Sequence, residues 1–265
     1  MLTVTPRALS FGEILDGGFA LYRRNFAVFF GIAIIPRIPE ILYWIGVSAL
    51  VPAGTGEFAG FLLLPWSFFA FFLTLGALSL ASAQAWEGQA PEIRSSLQAG
   101  LSRWLVVAAA GVLAWAAGFA GFIFLIIPGL FLLASFFLFG PVAIVEGGGP
   151  IRALGRSWEL SRGGRLRILG VGFVAYLIIL IPTVAFMALG GIVAFGTATL
   201  AGNDPLALEG AGMWFSGIVN ILGSVVSALA WPLFVAVTVV LYMDRRARTD
   251  VSELEAAVGR LEPMG

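Results

Sequence analysis

The chain has 265 residues, 60% of them hydrophobic and only 11% charged, with a formal net charge of zero and a mean hydropathy of +0.99. A soluble domain carries roughly 25% charged residues, so too little polar side chain is present to cover a globule in water. Cys, His and Lys are absent, which excludes disulfides, thiolate and imidazole metal sites, cysteine nucleophiles and the commonest general base.

Several apolar runs exceed the roughly 18 to 20 residues needed to cross a hydrocarbon core. They are continuous and rich in Leu, Ala, Phe and Gly, without the alternation of barrel strands. Lipid-exposed backbone must satisfy its own hydrogen bonds, so these runs are expected to be helices of an integral membrane protein. Residues 1–9 are too polar and too short for a signal-peptide core, and no cleavage site follows them.

Ser10 and Glu13 form the S-x-x-E pattern of a capping box, and Leu9 with Ile14 fits a hydrophobic staple across the same helix start. Phe11, Ile14, Leu15, Gly18 and Tyr22 share one face, so 10–25 is expected to be an amphipathic helix on the membrane surface. The ordinary alternative is a helix of a small soluble cap, and direct continuation into an apolar run weighs against it. The first span is expected at 26–51, interrupted by Pro36, Arg37, Pro39 and Glu40. A turn with Gly54, Gly56 and Glu57 leads to the second, 59–83.

Pro91 suits a first helical position, and Ile93, Leu97, Leu101 and Trp104 recur at helical spacing. A second surface helix at 91–103 is therefore expected to run into a third span, 104–126, whose small residues (Ala110, Ala114, Ala117, Gly118, Gly121) suit close helix contact. Pro128 and Gly129 are read as a tight turn into a short fourth span, 130–146. Pro150 opens a third surface helix, 150–162, with Ile151, Leu154 and Trp158 on its apolar side and Gly163-Gly164 at its end. A fifth span at 168–199 contains Pro182, and a loop at 201–213 leads to a sixth, 214–243. The segment 249–265 is read as a polar cytoplasmic tail.

The fold expected is thus all-α: a single polytopic domain of six transmembrane helices in three hairpins, each preceded by a cytoplasmic amphipathic surface helix. Arginines favour the cytoplasmic side. With an inside N-terminus, the three outside loops hold no arginine, and Arg37 is the only one within a span. Both termini are then cytoplasmic, and the expected location is the cytoplasmic membrane of a bacterium.

Three stretches carry a resemblance: LSFGEILDGGFALYRRNF (9–26), IPGLFLLASFFLFGPVAIVEGGGPIRALGRSWELSRG (127–163) and VVLYMDRRAR (239–248). Together they resemble the membrane domain of glycerophosphoryl diester phosphodiesterases and related stand-alone bacterial membrane proteins of undefined function. In those enzymes catalysis belongs to a separate barrel that uses His, carboxylates and a metal. This chain has neither His nor room for the barrel, so the resemblance implies architecture and no activity.

Two groups of residues are candidate sites. Arg37 and Glu40 lie about 16 to 21 Å along the first span from Phe26, at 1.5 Å per residue, and intramembrane charges mark function by default. Their i, i+3 spacing equally allows a self-satisfied pair, with carbonyls freed by Pro36 and Pro39 as further partners of Arg37. Asn220 is the nearest polar companion in the sixth span. Arg152, Arg156, Arg162, Arg165 and Arg167 could grip anionic headgroups, each with about 1 kcal/mol near an acidic leaflet, or could only set topology and cap helices. Glu146 is expected to pair with one of them and hold the surface helix. Gly147–Gly149 lacks the Lys-Ser/Thr of a phosphate loop and follows no strand.

No enzyme, cofactor or metal is expected, and no nucleic-acid partner. The first reading is a non-catalytic, lipid-contacting scaffold or partner of another membrane protein. The alternative is a small transporter or permease with a broken first helix at 36–40. A polar cavity reaching Arg37 favours the alternative; a dry, packed pair favours the scaffold.

Overall fold

The structure is a computed structural model that describes residues 9–50, 59–201 and 205–261. The turn assigned to Gly54, Gly56 and Glu57 lies outside the described residues. Among those described the chain is helical and contains no strand: α1 (Phe11–Arg24), α2 (Phe26–Ile34), α3 (Ile38–Leu50), α4 (Leu64–Trp86), α5 (Ile93–Phe124), α6 (Ile126–Phe136), α7 (Phe139–Val145), α8 (Pro150–Ser161), α9 (Arg165–Ala201) and α10 (Pro205–Leu261). Short 3-10 turns join α2 to α3 (Ile35–Arg37) and precede α4 (Ala59–Leu63). Six stretches are long and apolar enough to cross a membrane: Phe26–Val47, Phe61–Trp86, Ile93–Phe124, Ile126–Val145, Arg165–Val193 and Gly217–Val251.

The central post is α10. Residues 235–245 are buried on every side, as a helix surrounded by others must be, and α9, α1, α4, α3 and α2 all pack on it. Helix α1 begins at the capping box: Glu13 N–H donates to Ser10 Oγ (3.2 Å), and Ser10 N–H donates to Glu13 Oε2 (2.5 Å). Its buried stripe is Ile14, Gly18 and Leu21, whereas Phe11 is exposed. That stripe meets protein: a Cβ at Gly18 would lie 2.4 Å from a Val237 methyl of α10. Tyr22 Oη donates to the Leu229 carbonyl at 2.8 Å.

Several expectations need correction. The surface helix at 91–103 is no separate element, because α5 runs unbroken from Ile93 to Phe124. Gly100 brings that segment into the bundle, where a Cβ would sit 2.6 Å from the Leu73 carbonyl oxygen of α4. Pro91 precedes the N-cap residue Glu92 and is not the first helical residue. The turn into the fourth span is made by Leu125, whose backbone is extended (φ −170°, ψ 158°), so Pro128 and Gly129 already belong to the first turn of α6. Proline lacks the N–H that a first turn leaves unpaired anyway, and bare Gly129 lets α6 close on α5 at Gly121, where a Cβ would be 2.8 Å from the Gly129 Cα.

The apolar side of α8 is also different. Ala153, Leu154, Ser157, Leu160 and Ser161 are buried, while Ile151 is 71% exposed. Pro150 does open that helix, and Gly163 follows it with φ +69°, a conformation that glycine adopts without strain. Nor does α10 stop at 243 behind a loop at 201–213: it extends from Pro205 to Leu261, so the polar tail is helical through 261. The apolar run ends there, but the helix does not, because the Asp244–Arg248 pair (2.9 Å) spans one turn of it at i, i+4. Pro182 lies inside an uninterrupted α9.

Candidate functional site

Pro36 and Pro39 each lack a backbone N–H, and two such gaps within four residues leave α2 and α3 joined only by a 3-10 turn. Arg37 sits in that turn and Glu40 in the first turn of α3. Their side chains pair, Nη1 to Oε2, at 3.7 Å, and are 21% and 11% exposed. Glu40 also accepts a short hydrogen bond from Ser67 Oγ of α4. The Pro36 carbonyl is taken by Trp66 Nε1 (3.1 Å), not by Arg37. A separation of 3.7 Å exceeds that of an N–H···O hydrogen bond, so among the described residues the Arg37 guanidinium is attracted to Glu40 yet donates to nothing.

It faces space instead. Arg37 and Glu40 line a cavity of 540 Å³ between α3, α4, α9 and α10, within the size range of small-ligand sites. The same cavity is lined by Asn220, so the three candidates from the first and sixth spans converge in one place. Ser224 and Ser227 join Asn220 at helical spacing (i, i+4, i+7), and Ser67, Thr183 and Tyr176 come from the other walls. Of this stripe only Asn220 was expected as a site residue, although the periodicity is visible in NILGSVVS. Thr183 and Ser224 donate to carbonyls one turn back in their own helices, at 2.8 and 2.9 Å, as hydroxyls do where water is scarce. Among the described residues no group of His, Cys, Asp or Glu is arranged to hold a metal ion.

The second candidate group is arranged quite differently. Glu146 accepts from Arg156 Nε (3.1 Å) and from Tyr242 Oη (3.0 Å), so α8 is tied to α10 across the loop that precedes it. Arg156 also reaches Glu159 (3.4 Å) and Asp250 (3.2 Å). Arg165 donates to Ser135 Oγ (2.8 Å) and lies 4.3 Å from the Phe131 ring centroid and 4.8 Å from that of Trp158. Arg167 donates to the Leu9 carbonyl. Only Arg152 and Arg162 are exposed side chains without a partner among the described residues.

Two partners here had no signal in the local pattern. Ser157 Oγ accepts from the Leu138 N–H (3.2 Å) and donates to the Ser135 carbonyl (3.0 Å), supplying partners where the chain breaks between α6 and α7. Arg245 of α10 donates to the Leu160 carbonyl (2.8 Å) and the Arg162 carbonyl at the end of α8. Gly164 leaves room for this, since a Cβ there would be 2.5 Å from Arg245 Nη1.

A family model described as a domain of unknown function, DUF7847, matches residues 93–245, more than half of the chain. The chain belongs to this family. The DUF7847 region takes in α5 to α9 and α10 as far as Arg245, hence the Glu146–Arg156–Tyr242 and Arg245 contacts of α8 and the α9 and α10 walls of the cavity. Arg37 and Glu40 lie outside it. No curated protein and no solved structure matches the chain, and no link to glycerophosphoryl diester phosphodiesterases is found.

Proposed function

We propose that this is a multi-pass membrane protein that binds a small ligand at membrane depth, as the binding unit of a small permease. The observation that supports it is Arg37, which lines a cavity and whose guanidinium engages no hydrogen-bond acceptor among the described residues. A charged group inside a bilayer is costly, and those that persist face a water-filled or substrate-lined space. Broken helices near mid-span are the form such sites take in transporters. The scaffold reading, by contrast, fits the α8 end, where Arg156, Arg165, Arg167 and Arg245 are satisfied by the protein's own groups.

The proposal extends to setting. The arginine distribution supports a cytoplasmic membrane of bacterial type, both termini cytoplasmic, and three hairpins. Two separate surface helices, α1 and α8, stand in place of three, since 91–103 is part of α5. The resemblance of 9–26, 127–163 and 239–248 to the phosphodiesterase membrane domain supports a common architecture and no common activity. Of the five arginines from 152 to 167, Arg152 and Arg162 are the ones left for anionic headgroups.

The test of the site is a cycle of Arg37→Leu, Glu40→Leu and the double change. Each single variant leaves one charge uncompensated and is expected to unfold earlier in detergent. The double variant restores neutrality, so it should regain stability yet lose the activity or phenotype of the chain. A double variant equal to the wild type in both respects would show the pair to be structural only.

A further inference from the structure

We infer that the ligand of this cavity is a zwitterionic membrane amphiphile that enters sideways from the bilayer; the inference rests on the binding reading above. The first ground is access. Among the described residues, helix α9 packs on α10 and makes smaller contacts with α6 and α1, but none of comparable extent with α3 or α4. A slot is therefore left between α9 and α3, with α10 as its back wall. Tyr176 and Met187 line the cavity while being 49% and 64% exposed, so the same side chains face the cavity and the outer surface. In a bilayer that surface is bathed by acyl chains.

The second ground is the division of the lining. Glu40, Ser67, Asn220, Ser224 and Ser227 bring polar groups from α3, α4 and α10, whereas α9 adds Tyr176 and Thr183 to a wall that is otherwise apolar: Ile179, Leu180, Phe186 and Met187. Such a site suits a headgroup joined to a chain. The third ground is charge. Arg37 and Glu40 sum to zero and stand 3.7 Å apart, so each retains capacity for another partner. A plain anion would gain Arg37 but be repelled by Glu40, and a plain cation the reverse. A headgroup carrying an acidic oxygen and an ammonium satisfies both, with the acid on the fork of the guanidinium.

The experiment is native mass spectrometry of the full chain in gentle detergent, titrated with phosphatidylethanolamine, phosphatidylglycerol and water-soluble phosphoethanolamine. One phosphatidylethanolamine per chain is expected, bound at least about tenfold more tightly than phosphatidylglycerol, as some 1.4 kcal/mol of charge discrimination would give. Arg37→Leu should weaken it about tenfold or more. Gly223→Leu should do likewise with both charges intact, because a Cβ there meets only Phe186, at 3.7 Å, and the rest of the side chain enters the cavity. Equal retention of the two lipids would overturn the zwitterion, and unchanged binding by Gly223→Leu would overturn the location. Displacement by phosphoethanolamine at matching concentration would overturn sideways entry while leaving the binding site standing. If neither lipid nor phosphoethanolamine binds, and neither variant differs from the wild type, the binding reading fails too.

Discussion

Gly100→Ala separates two architectures that the sequence leaves open. If 91–103 lay along a membrane surface, the added methyl would point at lipid or water, and replacing a helical glycine would stabilise the protein by about 1 kcal/mol. In the structure that methyl meets the Leu73 carbonyl oxygen at 2.6 Å, with the Ala77 backbone nitrogen and Cβ both at 3.1 Å. Two of these three atoms are backbone and cannot swing aside, so α4 and α5 must move apart. Overpacking of this kind costs about 1–3 kcal/mol, toward the upper end where backbone meets backbone. After the helical gain is subtracted, a net loss of about 2 kcal/mol remains, on the order of 30-fold in the folding equilibrium. Gly46→Ala is the control, since a Cβ there has nothing within 4 Å, and it should be neutral or stabilising. Equilibrium unfolding in mixed micelles reads both. A Gly100→Ala variant at least as stable as the wild type would refute the packed α4–α5 arrangement.

Two further outcomes follow from the structure and from the arginine distribution. Ser157→Ala should lower stability by about 1–3 kcal/mol because the buried Leu138 N–H loses its acceptor. Ser161→Ala should change it by less than about 0.5 kcal/mol, since that hydroxyl serves only the carbonyl of Trp158 in its own helix; equal thermal shifts would contradict the assignment. A topology reporter fused to a chain ending at Gly210 should read on the outer side, and an inner-side signal would sink the proposed orientation.

What was legible in the sequence was whatever depends on neighbours along the chain. The Ser10–Glu13 cap, the break at Pro36–Pro39, the start of α8 at Pro150 and its end before Gly163 all follow from backbone chemistry within a few residues. Six apolar runs follow from composition in a window. What was not legible depends on partners far away in the chain. Nothing near Ser157 in the chain marks it as a buried acceptor, because the N–H it serves belongs to Leu138, 19 positions earlier. Arg245 reads as the end of a span until the carbonyls of Leu160 and Arg162 are seen beside it. The same limit explains Ile151: periodicity puts an aliphatic residue inward, but the face that α8 buries against α6 and α7 runs through Ala153, Leu154, Ser157, Leu160 and Ser161, and Ile151 lies off it.

The candidate site was half legible for the same reason. Arg37, Glu40 and Asn220 stood out as polar residues in apolar runs, yet only packing shows that they share a cavity. The contrast between the two ends of the molecule bears on what that cavity does. At α8 the arginines that are not exposed are well satisfied: Arg156 has three carboxylates within 3.4 Å, Arg165 has a hydroxyl and two rings, and Arg245 has two carbonyls. Arg37, in the costlier setting, is given one carboxylate at 3.7 Å and an opening. A pair needed only for stability would gain by closing that gap or by replacement with apolar side chains. An incompletely paired guanidinium beside a cavity supports the proposed binding function, in which Arg37 would hold Glu40 when the site is empty and a ligand when it is full.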